Sequence, residues 1–186
     1  LSEDGTIVAI GAYLNDENGD QSGHTSIFQY SNDSNSWNQL GDDIDGYAAG
    51  DYSGWSVSLS DDGTIVAIGA PYNDGTGNNS GHVRVYQYSN SAWIQLGTDI
   101  DGEVGSDFSG ISVSLSSDGT IIAIGATGND GNGSNSGHVR IYDWTGNFWF
   151  QRGNDIDGES AGDYSGLSVS LSADGNTVAI GAGSND

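Results

Sequence analysis

The sequence predicts an all-β chain of β-propeller type, built from four-stranded antiparallel blades in tandem repeats of 56 residues. The first observation behind this is the repeat itself, sought before any element is assigned. Leu-Ser-x-Asp-Gly opens at Leu1, Leu59, Leu115 and Leu171, at spacings of 58, 56 and 56 residues. The second is strand periodicity with no helical period in any window. The third is composition. With 31 Gly in 186 residues, 10% aromatic and 34% hydrophobic, the chain has the profile of turn-rich β structure. A disordered acidic tail would be poor in aromatic and β-branched residues. The repeat divides the chain into a first unit (1–58), a second (59–114), a third (115–170) and the start of a fourth (171–186). The two extra residues of the first unit fall at Asp33-Ser34, in a polar turn. A little over three units, begun inside a blade, predict a segment of a longer protein.

Unit two shows the logic of each element. Trp55, Val57 and Leu59 alternate with Ser56, Ser58 and Ser60, which predicts a first strand over 53–60 with one apolar face and one of small hydroxyls. Asp62-Gly63 predicts a tight turn, because glycine accepts positive φ without steric cost. Residues 64–70 hold the run Ile65-Val66-Ala67-Ile68, which fits a second strand covered on both faces. A Gly/Asn/Asp/Ser loop spans 72–81. The third strand, 82–88, sets Val83 and Val85 on one face and Tyr86 and Tyr88 on the other. The fourth, 92–96, carries Trp93, and a loop over 97–110 leads to the next unit. Four short strands with two apolar faces are not stable alone and must stack on their neighbours. In a propeller the first strand lies innermost, where its serine face suits a crowded centre. An open β-solenoid or a stacked-sheet array is the alternative.

The charge excludes several roles. There are 26 Asp plus Glu against 3 Lys plus Arg, a formal net charge of −23, and 22 of the acids are Asp. Such a chain binds no nucleic-acid backbone, which requires clustered Lys and Arg, and has no affinity for an anionic membrane. With no Cys it has no disulfide frame or thiolate chemistry. No apolar stretch is long enough to insert into a bilayer.

Three phrases recur in order: Asp107-Phe108-Ser109-Gly110-Ile111-Ser112-Val113, Ala67-Ile68-Gly69-Ala70-Pro71, and Gly81-His82-Val83-Arg84-Val85-Tyr86. On these the chain resembles the FG-GAP repeat of integrin α-subunit propellers and of secreted bacterial and algal surface proteins. The family has Phe-Gly before a small-apolar strand, Gly-Ala-Pro at the end of strand two, and Gly-x-Val-x-Val-Tyr in strand three. Here Ser splits the Phe-Gly pair, and Pro stands only at Pro71, with Tyr13, Thr127 and Gly183 at the equivalent positions. The resemblance implies propeller blades, an extracellular or cell-surface location, and adhesion. Family blades often hold Ca²⁺ between strands one and two on Asp-x-Asp-x-Asp-Gly-x-x-Asp. The corresponding Ser60-Asp61-Asp62-Gly63 lacks those ligands, so that site is not expected here.

Other loops offer candidate Ca²⁺ ligands, since calcium takes six to eight hard oxygens from alternating Asp and Asn in Gly-containing loops. Asp16, Asn18 and Asp20 have the spacing of the first three ligands, with weaker equivalents in the later units. The loop between units carries Asp99, Asp101, Glu103 and Asp107, repeated as Asp155, Asp157, Glu159 and Asp163. Asx-turns, in which these side chains bond nearby backbone amides, are the structural alternative. His24, His82 and His138 share one repeat position, about a blade apart, and are expected to pack or to bond a neighbouring turn. Imidazole is a poor ligand for a hard cation. Trp93 and Trp149 recur with Trp37 as inter-blade packing or, as in lectin propellers, as a sugar platform. Arg84 and Arg140 are expected in intra-blade ion pairs. Asn32, Asn78 and Asn132 open glycosylation sequons in predicted loops.

The resulting expectation is a non-enzymatic extracellular or cell-surface repeat protein for adhesion or filament assembly, stabilised by Ca²⁺ and with no other cofactor. Its expected partners are other blades, copies of itself, and surface glycans or proteins. A lectin-like, ligand-binding propeller is the second reading. A polysaccharide hydrolase is a third, disfavoured because an enzyme site generally breaks a near-identical repeat.

Overall fold

The computed structural model describes residues 1–185, and every regular element in them is a strand. The first blade holds β1 (Ile7–Ala12), β2 (His24–Ser31), β3 (Ser36–Gln39) and β4 (Ile44–Asp45). The second holds β5 (Ser56–Leu59), β6 (Ile65–Ala70), β7 (His82–Ser89), β8 (Ala92–Gln95) and β9 (Ile100–Asp101). The third repeats it as β10 (Ser112–Leu115), β11 (Ile121–Ala126), β12 (His138–Trp144), β13 (Trp149–Gln151) and β14 (Ile156–Asp157). The last has β15 (Ser165–Leu171) and β16 (Val178–Ala182). The two complete sheets run β5-β6-β7-β8 and β10-β11-β12-β13, all antiparallel. The strand that ends on Leu59 opens the second blade, so the sheets start three residues ahead of the Leu-Ser-x-Asp-Gly marker.

The expected run of apolar residues in strand two is covered on both faces: all six residues of β6 and of β11 are buried. Alternation sends Val66 and Ile68 back against Ile7, Ile27 and Ile44 of the first blade. Ile65 and Ala67, with Val83 and Val85, face forward onto Leu115, Ile122 and Ile124 of the third. The third blade repeats this against Val169, Leu171 and Ile180. Each sheet is therefore the core of two junctions. Burying one such aliphatic side chain is worth about 1.5–3 kcal/mol, which is why a blade needs its neighbours.

The inner strands lie against one another, β5 against β10 and β10 against β15. The outer strands of neighbouring blades make no comparable contact among the described residues, which makes the array a fan. The serine face joins the inner strands. Ser56 Oγ donates to Gly110 O at 2.7 Å, and the Leu115 N–H donates to Ser58 Oγ at 3.0 Å. Ser112 and Ser114 repeat both bonds one blade on, to Gly166 O and from the Leu171 N–H. Glycine permits the approach: a Cβ on Gly69 would stand 2.1 Å from Gly110 O. The glycines of the Phe-x-Gly and Gly-Ala phrases are thus the two sides of one junction.

The Ser-x-Asp-Gly turn is a closed local unit. Ser116 Oγ donates to Asp118 Oδ1, which also accepts from the Thr120 N–H at 2.9 Å, while the Ile121 N–H donates to Ser116 Oγ. Successive turns are tied by main-chain bonds. Glu3 N–H donates to Asp61 O, Asp61 N–H to Ser117 O, and Ser117 N–H to Ala173 O, at 2.8, 2.8 and 2.9 Å. The bond from the Thr120 N–H holds Asp118 below the usual carboxylate range against slight burial, helped by the Ser116 and Thr120 hydroxyls. At Asp174 the Ser172 hydroxyl and then Asn176 lower it to about 2. A depressed folded-state pKa gives stability that is present above the unfolded value, near 3.8, and is lost as pH falls through the folded one. Asp118→Ala should therefore lower the melting temperature near neutral pH, and the gap to wild type should close as pH falls below about 4. Melting curves at several pH values check this, and a pH-independent gap contradicts it.

Two expectations are corrected. Trp55 does not extend the apolar face of the first strand. It precedes β5, is 39% exposed, and packs tilted against Tyr13 and edge-on to Tyr72 at ring-centroid distances of 4.8 and 5.8 Å. The loop over 97–110 also contains a strand: Ile100–Asp101 pairs with the start of β7, as do its counterparts in the other blades. A two-residue strand has no period by which to be read.

Candidate functional site

That short strand builds the candidate site. Ile100 is 5% exposed and anchored in the junction core, so Asp99 and Asp101 are held at its rim. The ladder places Asp101 opposite His82, and in the third blade Asp157 opposite His138. Each histidine thus meets the acids of the loop that follows its own blade.

In the second blade His82, Asp99 and Asp101 converge. His82 Nδ1 lies 3.7 Å from Asp99 Oδ2. Arg84 Nε donates to the same oxygen at 3.1 Å, and Gln95 Nε2 donates to Asp99 Oδ1 at 2.7 Å. Burial raises the Asp99 pKa, but Gln95, Arg84 and His82 outweigh it and hold the carboxyl below its usual range. Asp101 is raised, by burial and by the charge of Asp99. Burial, then Arg84, lowers His82 to about 4 against the pull of Asp99, so the imidazole is neutral at pH 7.

In the third blade the grouping is Glu103, His138 and Asp155, and Glu103 comes from the loop of the preceding blade. His138 is fully buried, with Nδ1 3.7 Å from Asp155 Oδ2. Arg140 departs from the expected intra-blade pair. Its Nη2 donates to Asp101 O at 2.8 Å and its Nη1 lies 3.8 Å from Glu103, both across the junction. The first blade groups Glu17, His24 and Asp43, with Ser26 at the arginine position donating to Asp43 Oδ1.

The remaining candidates are placed differently. Asp107 and Asp163 are buried. They accept the Val104 and Ser160 N–H at 3.1 and 2.8 Å and the side-chain amides of Asn129 and Asn185. Asp157 and Glu159 are exposed. Asp16 Oδ1 accepts the Gln21 N–H at 2.7 Å, Asn18 Nδ2 donates to Gly46 O at 2.7 Å, and exposed Asp20 receives the Gly50 N–H on its carbonyl. Trp93 and Trp149 donate their indole N–H to Leu40 O and Leu96 O of the preceding blade, at 2.7 and 2.9 Å. Asn32, Asn78 and Asn132 are exposed, and Asn132 Nδ2 donates to Gly158 O. The pairing of histidine with loop acids was not foreseen. Its one sequence signal is the constant separation of 17 residues from His82 to Asp99 and from His138 to Asp155.

A second feature covers the first two blades. Tyr13, Trp55, Tyr52, Tyr72 and Phe108 form a continuous line of rings with successive centroids 4.8, 6.4, 4.8 and 5.4 Å apart. Tyr52 and Phe108 hold φ of 54° and 55°, a conformation uncommon for such residues.

Four-stranded sheets fanned about a serine-lined inner edge, with acid-rich loops on the rim, define a propeller-type repeat protein. The FG-GAP repeat model matches residues 45–86 and 98–142, so the chain carries FG-GAP repeats over these two stretches. A search of curated proteins returns no match. Among solved structures the chain is similar to a candidate 6-phosphogluconolactonase of Bacteroides fragilis NCTC 9343. The identity is 12% and the TM-score 0.60, over 96% of this chain and 45% of that one. It is also similar to a candidate 6-phosphogluconolactonase of Bacteroides uniformis ATCC 8492, at 13% identity and TM-score 0.50, over 96% of this chain and 62% of that one. The chain thus spans about half the length of these structures, and the likeness is one of fold alone.

Proposed function

We propose that the chain is a non-enzymatic repeat array of the extracellular space or cell surface, serving adhesion or the assembly of a surface structure. Its partners are further blades, copies of itself, and surface proteins or glycans. The observation that carries this reading is the use of the recurring residues. Ser56, Ser58, Gly69 and Trp93, with their counterparts one unit on, all join one blade to the next. A sequence that repeats its junctions this closely is suited to extension and display. The net charge of −23 keeps such an array dispersed, and Ca²⁺ is the proposed partner of the acidic loops.

The ring line from Tyr13 to Phe108 favours a second reading, a glycan-binding propeller, because sugars stack on exposed aromatic faces through their C–H groups. One experiment separates the two. Beads coated with the protein are expected to cluster in Ca²⁺ and to disperse on chelation, with Trp55→Ala behaving as wild type. Glycan-array hits that Trp55→Ala abolishes would replace the first reading with the second. Hydrolysis of 6-phosphogluconolactone lost on a single substitution would overturn both.

A further inference from the structure

We propose that Glu103, His138 and Asp155 bind a borderline divalent transition ion of the Zn²⁺ class at the junction of the second and third blades. His138 is fully buried, and among the described residues neither of its ring nitrogens has a hydrogen-bond partner. A neutral imidazole carries one donor and one acceptor, and leaving both unpaired in a protein interior is costly. The groups facing it are Asp155 and Glu103, whose ligand oxygens and a His138 nitrogen lie within 4.8 Å of one another. Zinc holds nitrogen and oxygen ligands at about 2.0–2.2 Å in tetrahedral geometry, which sets donors about 3.4 Å apart. The 3.7 Å between His138 Nδ1 and Asp155 Oδ2 therefore needs only a few tenths of an ångström of closure. Glu103, 44% exposed, lies 3.8 Å from Arg140 Nη1 and would turn from that contact to the ion.

The second blade supplies the contrast. There the Arg84 guanidinium already provides a cation to Asp99 Oδ2. In the third blade Arg140 points to the preceding loop instead, and among the described residues no arginine reaches Asp155 Oδ2; Gln151 donates to Oδ1. One carboxylate oxygen and one imidazole thus face each other with no cation between them. The donor set decides the class of ion. Calcium takes six to eight oxygens, whereas one imidazole and two carboxylates leave a fourth position open in a zinc-type site. Glu103 and Asp155 also line a groove with Gln151, Asn154 and Asp157.

The test is titration of the folded protein with Zn²⁺ and separately with Ca²⁺, read by calorimetry and by ¹⁵N resonances of the His138 ring. Zn²⁺ is expected to shift a His138 ring nitrogen in proportion to occupancy, and Ca²⁺ to leave it unmoved. Glu103→Gln and Asp155→Asn should each weaken the Zn²⁺ affinity at this resonance at least about tenfold. Glu103 is on the surface, so its variant keeps the wild-type fold, verified by circular dichroism. A His138 ring unmoved by Zn²⁺ overturns the proposal, as does wild-type affinity in both variants or an equal response to Ca²⁺.

Discussion

Gly125→Ala is expected to destabilise the chain by about 3 kcal/mol, at the upper end of overpacking costs. The added Cβ would stand 2.0 Å from Gly166 O and 2.5 Å from Ser112 Oγ. The first is main chain of the next blade and cannot rotate away. The second already donates to that same carbonyl, so moving it loses a junction bond as well. For a chain of this length the loss corresponds to a fall of about 6–12 °C in melting temperature. Gly181 occupies the same repeat position in the last blade, but the one close approach there is the Ser168 hydroxyl, with the Ser168 carbonyl at an ordinary 3.7 Å. Gly181→Ala should therefore cost less than about 1 kcal/mol, because Ser168 can change rotamer. Thermal melts of the two variants side by side decide the matter. Equal losses would show that intrinsic strand geometry, rather than the approach of the next blade, requires glycine.

Trp149→Ala should cost a similar amount, about 3 kcal/mol, through lost area and a lost hydrogen bond across the junction. Its ring sits beside Trp144 at 5.2 Å, and a Cβ on Gly97 of the preceding blade would stand 3.5 Å from its Cδ1. Trp149→Phe keeps most of the area but removes the indole donor to Leu96 O, and should cost about 1 kcal/mol from the bond. Trp37, at the same position in the first blade, is 47% exposed, and its replacement by alanine should be nearly silent. Urea titration of the three variants gives the order. A silent Trp149→Ala would return this side chain to the pool of free ligand platforms.

What could be read from the sequence follows from the range of each signal. The run Ile65 to Ile68 declares a two-sided strand because every residue in it is apolar, and neighbouring positions face opposite blades. Ser56 and Ser58 declare an alternation, though not that their hydroxyls bond the next inner strand; that partner lies 54 and 57 residues away. The acids at Asp99 and Asp155 stand out by repetition. Their histidine partners repeat as well, but the pairing itself does not show, because it depends on a two-residue strand that carries no periodicity. The placement of Arg140 across the junction is a choice of side-chain direction, and the nearly identical surroundings of Arg84 give no hint of it.

The peptide-to-peptide links between successive Asp-Gly turns bear on how such an array can change length. Their donors and acceptors are main-chain groups, so the link from Glu3 to Asp61, from Asp61 to Ser117 and from Ser117 to Ala173 is indifferent to side-chain identity. Every unit offers the same socket to whichever unit follows. Duplication or excision of one 56-residue segment by recombination would leave each surviving link with a partner of the same kind. Unit number is then a quantity that inheritance can adjust in whole steps, while the solvent-facing positions drift without loosening the chain.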